Sequence, residues 1–280
     1  FILAVFFYFL IFVSGYSGFQ PSVGSLINNS VGENIGIQEG DIIHSVNLKN
    51  VKTWSDATLQ TIKFASEKKN INLEVLRNNV VIKLKEVEYE KINFESKNIF
   101  ENLGILNFAS NSVTIGHIEE GSAAEISGLL VADKILAING VSVRNWIEIV
   151  NFIKESPGIK LSLYILRNSS NLTINVVPKK LINSGFETGR LGIGPLIDND
   201  LISKNTIKVQ YGFFDSIKLS VYKTYDFTLL TLNFIFRLIR GEASSSSISG
   251  PVGIASYASD SFSSGYTSFL GLLAMLSISI

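Results

Sequence analysis

No cysteine occurs among the 280 residues. That excludes disulfide staples and thiolate metal sites, and it leaves the redox compartment undecided. Histidine is almost as scarce, with only His44 and His117, 73 positions apart. A His-Glu-x-x-His zinc helix needs two imidazoles one turn apart, so each of these reads as an ordinary strand residue. A Ser-His-Asp hydrolase would have to recruit one of the same two rings, and no such grouping suggests itself. Charge of one sign is also missing. The 24 basic residues equal the 24 acidic ones, so no net field draws in nucleic acid.

Methionine is single, at Met275, and no apolar run is long. Phe1 to Val13, "FILAVFFYFLIFV", is 13 uncharged residues, about 20 Å as a helix against a hydrocarbon core of about 30 Å. A signal peptide would show a basic stretch before such a run. Ser268 to Ile280, "SFLGLLAMLSISI", is similar. The expectation is an internal piece of a membrane protein, beginning inside one transmembrane helix (residues 1–13) and ending inside the next (266–280). Two buried helices of a soluble protein are the alternative.

What is present is a repeat. "NSVGENIGIQEGDIIHSVNL" returns 92 positions later as "GSAAEISGLLVADKILAING". Ser30 and Ser122 are each followed three residues on by Glu33 and Glu125, the S-x-x-E box that opens a helix by satisfying free N–H groups. Gly36 and Gly128 stand where a short helix needs a left-handed stop. Asp41 and Asp133 then lead into apolar strands. Asn139-Gly140 signals a tight turn, whereas Asn47-Leu48 predicts a looser one. Trp54 and Trp146, the only tryptophans, are again 92 apart, and Arg77-Asn78 and Arg167-Asn168 close later strands. A collinear series over some 50 residues is a structural repeat.

Cap, short helix, glycine stop, strand, tight turn, helix and two strands in succession resemble the PDZ domain, and Gly121 to Gly140 carries the similarity best. Ala132 stands where that pattern usually has glycine. Upstream, "NLGIL" resembles the family's carboxylate-binding loop, which makes Leu103, Gly104 and Ile105 the candidate peptide-binding residues of the second domain. A peptide carboxylate is held there by backbone N–H groups, and a side chain at Gly104 would block their approach. The alternative is that the three residues merely start a strand. A second "LGI", Leu191 to Ile193, has no repeat after it.

Between Asp215 and Arg240, seven polar residues including Lys218, Lys223, Asp226 and Asn233 fall within an arc of about 140° on a helix. Such a helix lies in a membrane interface or packs on protein. The linker "GEASSSSISG" separates it from "GPVGIASYA", where Pro251 suits a first helical turn.

The order of parts, with "GFQPSVGSL", "VQYGFFDSI" and "SGPVGIA" at its joints, resembles the regulator of sigma-E protease family of bacterial site-2-type intramembrane zinc metalloproteases. The resemblance implies an α+β chain with a truncated transmembrane helix (1–13) and two tandem PDZ-like domains (14–92 and 93–182). A linker (183–212), amphipathic membrane-proximal helices (213–265) and a second truncated transmembrane helix (266–280) follow. It implies inner-membrane location with periplasmic PDZ domains, zinc held by residues outside this chain, and a tandem PDZ unit that filters substrates by size. Implied substrates are transmembrane proteins such as an anti-sigma factor or remnant signal peptides, and the piece alone would be inactive. A membrane-tethered PDZ adaptor and the PDZ part of a secreted serine protease are the alternative classes.

Overall fold

In the computed structural model, which describes residues 1–92, 98–183, 186–241 and 251–279, helix α1 (Ile2–Ser14) leads into β1 (Tyr16–Phe19). The first copy of the repeat follows as β2 (Val23–Leu26), α2 (Val31–Asn34), β3 (Ile42–Val46), β4 (Lys49–Asn50), α3 (Trp54–Ser66), β5 (Leu73–Arg77) and β6 (Val80–Lys83). After α4 (Ile99–Asn102) and β7 (Ile105–Asn107), the same succession returns. It runs β8 (Ile115–Ile118), α5 (Ala123–Ile126), β9 (Lys134–Ile138), β10 (Val141–Ser142), α6 (Trp146–Lys154), β11 (Leu161–Arg167) and β12 (Ser170–Val176). The chain continues through β13 (Lys179–Asn183), β14 (Phe186–Arg190), β15 (Ile193–Pro195), α7 (Asn199–Asn205) and β16 (Thr206–Val209). Helices α8 (Phe213–Ile239), α9 (Pro251–Ser263) and α10 (Tyr266–Ser279) close it. The stretch expected as a linker, 183–212, thus carries three strands and a helix, because its apolar residues find partners elsewhere in the chain. The serine-rich linker at 242–250 lies outside the described residues.

The caps form as their spacing requires. Ser30 Oγ accepts from Glu33 N–H at 3.2 Å, and Glu33 reaches back to Asn29 N–H at 2.6 Å. Ser122 and Glu125 repeat this at 3.3 and 2.7 Å, the latter from Gly121 N–H. Gly36 and Gly128 stop the two helices at φ of 93° and 78°. Thr53 and Asn145 cap α3 and α6 through the N–H groups of Asp56 and Glu148.

Two compact units result. One comprises Phe1–Pro21, Ile43–Ile99 and Thr206–Ile280, the other Ser22–Ile42 and Phe100–Asn205. In the first, a sheet of order β4-β3-β5-β6 buries Ile43, Val46, Leu73 and Val75. In the second, a sheet of the same order, β10-β9-β11-β12, buries Ile135, Ile138, Leu163 and Ile165 against Ile149 of α6. Both β3–β4 and β9–β10 turn through two left-handed residues, Asn47 and Leu48 (φ 46° and 63°) and Asn139 and Gly140 (50° and 80°). The first turn is therefore as tight as the second, contrary to the expectation from Leu48. Asn47 is clamped on three sides, its N–H to Asn72 O (2.8 Å), its Oδ1 to Asn72 N–H (2.6 Å) and its Nδ2 to Asn70 O (3.0 Å). These bonds hold Leu48 where its own preference would not.

The helices of the first unit pack around Ala4, Tyr8, Ile11 and Phe12 of α1, with Ala274 and Ile278 of α10. Among the described residues no helix is long and apolar enough to cross a membrane. Helix α8 turns the middle of its polar arc toward protein: Asp226 pairs with Lys63 of α3 at 2.5 Å, Lys223 with Asp56 at 3.6 Å, and Asn233 donates to Ser66 Oγ at 3.4 Å, while Asp215, Lys218 and Arg240 stay exposed. Ser216, Ser220 and Thr224, one turn apart, are buried as well. Its apolar residues Phe214, Ile217, Val221, Phe236 and Ile239 are exposed. Leu219 and Phe227 pack against the α1 cluster, so α8 buries a mixed polar and apolar face and leaves a second apolar face exposed.

Ala132 lies at φ 73° and is exposed; its counterpart in the first copy, Gly40, lies at 84°. A left-handed alanine costs roughly 1–2 kcal/mol, and glycine returns part of that as unfolded-chain entropy. We expect Ala132→Gly to stabilise the chain by about 1 kcal/mol, read as a rise of about 2–4 °C in Tm. An unchanged or lower Tm would show that no strain resides there.

Candidate functional site

The two "LGI" segments occupy equivalent places. Leu103 O accepts from Gly32 N–H at 2.7 Å and Gly104 O from Ile27 N–H at 2.9 Å. Leu191 O accepts from Ala124 N–H and Gly192 O from Glu119 N–H, both at 2.9 Å. The donors are 92 positions apart and the acceptors 88, so the same bonds are made twice. Beyond each glycine the chain becomes a short strand antiparallel to the strand that opens a copy: β7 against β2, with Leu26 opposite Ile105, and β15 against β8, with Ile118 opposite Ile193.

This corrects the placement of the candidate loop. Leu103-Gly104-Ile105 packs on the cap segment of the first copy, and the second copy receives Leu191-Gly192-Ile193. The loop follows the repeat it serves. The spacing of the two motifs carried that signal, but proximity in sequence pointed to the wrong neighbour.

The role of the glycines also changes. Gly104 and Gly192 lie at φ 76° and 80°. A Cβ on either would overlap the Cβ of the serine that caps the adjacent helix, Ser30 or Ser122. The missing side chain thus admits a cap serine. The N–H of Gly104 is already donated to Glu101 O at 2.9 Å. A second glycine pair assists: a Cβ on Gly24 would lie 2.6 Å from Asn107 backbone, and one on Gly116 2.5 Å from Pro195 O and Leu196 Cα. Backbones come this close only where one of the two carries no side chain at that point.

Chemically, the arrangement offers strand edges. Among the described residues β7 and β15 each have one strand partner. Each therefore keeps one edge outside its ladder, the geometry that strand addition by an extended peptide uses.

The second copy is braced by one buried ion pair. Asp133 is fully buried and receives Arg167 through Nε and a terminal nitrogen, both at 2.7 Å. The same terminal nitrogen also bonds Gly128 O at 2.8 Å, and Asp133 accepts from Leu130 N–H at 2.8 Å. Burial opposes the charge on Asp133, but the guanidinium and the Leu130 N–H outweigh it and hold the carboxyl below its ordinary value. The pair pins the glycine stop of α5 to strand β11. No metal chemistry accompanies it: among the described residues no group of three or more His, Cys, Asp or Glu side chains is assembled. His44 lies on β3, and His117 on β8 stands opposite Gly194. The described residues do not fit a zinc centre.

The PDZ domain family model matches residues 81–166 of this chain. Along its whole length the chain is 27% identical to the regulator of sigma-E protease RseP of Escherichia coli, spanning 63% of that protein. It is 26% identical to a protein of Vibrio cholerae serotype O1 named as a zinc metalloprotease, over 100% of this chain and 63% of that one. A similarly named protein of Neisseria meningitidis serogroup A is 29% identical over 99% of this chain and 63% of its own length. Homologues bearing these names therefore run the full length of this chain, which itself spans about 63% of theirs.

Two outcomes test the site. Gly192→Ala combines a left-handed alanine with an overpacked contact and should destabilise by about 3 kcal/mol. Adding Ser122→Gly should restore the overlap part, since a glycine cap costs only a few tenths; absence of rescue would show that Ser122 is not the obstacle. Arg167→Ala should cost about 3 kcal/mol at neutral pH by stranding Asp133. Because the folded carboxyl titrates below its unfolded value of about 3.9, the pair's contribution is full above that value and is lost as pH falls through the folded one. The gap between wild type and variant in a urea titration should therefore narrow below about pH 4.

Proposed function

We propose that this chain is the substrate-gating region of a bacterial intramembrane zinc metalloprotease of the site-2 type. The observation that carries the reading is its full-length likeness to relatives named regulator of sigma-E protease, joined to a PDZ match within it. Two tandem PDZ-like domains, about 14–92 and 93–182, each completed by the glycine loop that follows it, stand on the extracytoplasmic side. Helix α1 and helix α10 are portions of transmembrane helices, and α8 and α9 are membrane-proximal. The outward apolar face of α8, from Phe214 to Ile239, supports contact with lipid. Zinc and the hydrolytic step belong to the whole protein.

The pair of domains acts as a filter. A transmembrane substrate whose extracytoplasmic part is still bulky is held away from the membrane-buried protease, and a trimmed one, such as a cut anti-sigma factor or a remnant signal peptide, passes. A peptide tail docking as an added strand at Leu103-Gly104-Ile105 would contribute selectivity, while exclusion by bulk needs no ligand. The backbone edge of β7 is the feature that supports docking there.

Removing residues 22–205 from the complete protein, with a short flexible bridge, should admit untrimmed substrate while cleavage of trimmed substrate persists. Cleavage is read in membranes by the product's electrophoretic shift. Continued refusal of untrimmed substrate by an enzyme still active on the trimmed form would sink the filter.

A further inference from the structure

The first unit contains a cavity of about 760 Å³, within the ~300–1,000 Å³ of small-molecule sites. Its floor is Tyr16, Tyr211 and Asp56, and five lysines against three aspartates line it. Two of the lysines are neutralised, Lys63 by Asp226 and Lys223 by Asp56. Among the described residues no carboxylate lies within 4.0 Å of the other three, Lys49, Lys52 and Lys218. Lys52 instead rests 4.2 Å from the centre of the Tyr211 ring. Burial above all, with the Asp56 carboxylate beside them, pushes the Tyr16 and Tyr211 phenols up, so both stay protonated.

The wall of the cavity is α8, which supplies Lys218 and Tyr222 on the cavity side and exposes Ile217 and Val221 next to them. At the same end, Phe213 packs edge-on against Phe9 of α1 at 5.3 Å, and both Phe213 and Phe214 are exposed. A cationic chamber thus opens beside an exposed apolar surface on two helices. Free phosphate would use the chamber and ignore the apolar wall. A molecule with both an anionic head and acyl chains uses both.

We propose that this cavity holds the headgroup of an anionic glycerophospholipid, with Lys49, Lys52 and Lys218 on its phosphate and its chains along the apolar faces of α8 and α1. The inference rests on the reading that those faces meet lipid. Bound there, the lipid would join the β4 end of the first sheet (Lys49), the segment after it (Lys52) and α8 (Lys218), fixing the first PDZ-like domain to the membrane surface at one point.

The test is flotation of the whole chain with vesicles of pure phosphatidylcholine and of phosphatidylcholine containing phosphatidylglycerol, at physiological salt. We expect flotation with both and at least tenfold tighter association with the anionic vesicles. Lys49→Gln/Lys52→Gln/Lys218→Gln should remove that preference, whereas Lys68→Gln/Lys134→Gln/Lys179→Gln, equal in charge and outside the cavity lining, should keep it. Circular dichroism confirms that both variants are folded, and a triple Lys→Arg variant should retain binding. No flotation with either vesicle would overturn the lipid-facing reading. Flotation without anionic preference, or equal loss in the control variant, would overturn the headgroup site alone. Inorganic phosphate displacing the chain at micromolar concentration would assign the cavity to a free anion and overturn the lipid.

Discussion

Each copy of the repeat depends on one close approach, that of a left-handed glycine to the serine capping a short helix. Gly104 lies over Ser30 and Gly192 over Ser122, and neither glycine position has room for a Cβ. The constraint propagates in both directions along the chain. Toward the helix, it leaves the serine Oγ free to accept the third N–H, so the cap and the loop are built as one unit. Toward the strand, it aims Ile105 and Ile193 at the edges of β2 and β8, which fixes the register of both short ladders. A short strand with one edge outside its ladder is therefore a by-product of helix capping, which explains why the same geometry appears twice with little side-chain identity.

Helix α8 obeys a different constraint. Two of its charges face inward because α3 supplies counter-charges at matching heights: Asp56 for Lys223 and Lys63 for Asp226. Half-buried pairs of this kind add modest stability, but mispairing them is costly, so they select one rotational setting of the helix. That setting leaves Phe214, Ile217, Val221, Phe236 and Ile239 outward while Leu219 and Phe227 pack on the α1 cluster. A contiguous exposed apolar face of this kind is a candidate contact surface, and it is the observation on which the proposed membrane-proximal role rests.

Local chemistry was legible in the sequence. The boxes at Ser30 and Ser122, the stops at Gly36 and Gly128 and the helix starts at Trp54 and Trp146 need only neighbours within a turn or two. Partner choice over distance was not. "NLGIL" stands between the two copies, after one and before the other, and nothing within ten residues of Gly104 says which it joins. The near-equal displacement of the two "LGI" motifs, 88 positions against 92 for the copies, was the one clue, and it becomes decisive only when the second motif is allowed to follow its repeat. Leu48 misled for a related reason. Its left-handed backbone is held by hydrogen bonds from Asn47 to residues 70 and 72, which turn chemistry alone does not reveal. The arc of α8 was visible, but the direction it faces is set by residues on α3 more than 150 positions away.

The order of loop and repeat also decides what counts as a complete second copy. If the domain ended near residue 182, β8 would lose β15, Ala124 and Glu119 would lose their carbonyl partners at Leu191 and Gly192, and Thr114 O would lose Leu196 N–H. The segment Phe186–Arg190 would go too, although Gly189 of β14 lies so close to Ile153 O at the end of α6 that no other residue fits there. Three backbone groups, the β15-facing edge of β8 and the end of α6 would be exposed by a cut that looked natural from the sequence. The smallest piece that satisfies every one of these partners extends to Leu196, so the completing loop is part of the second domain's fold before it can be part of any binding site.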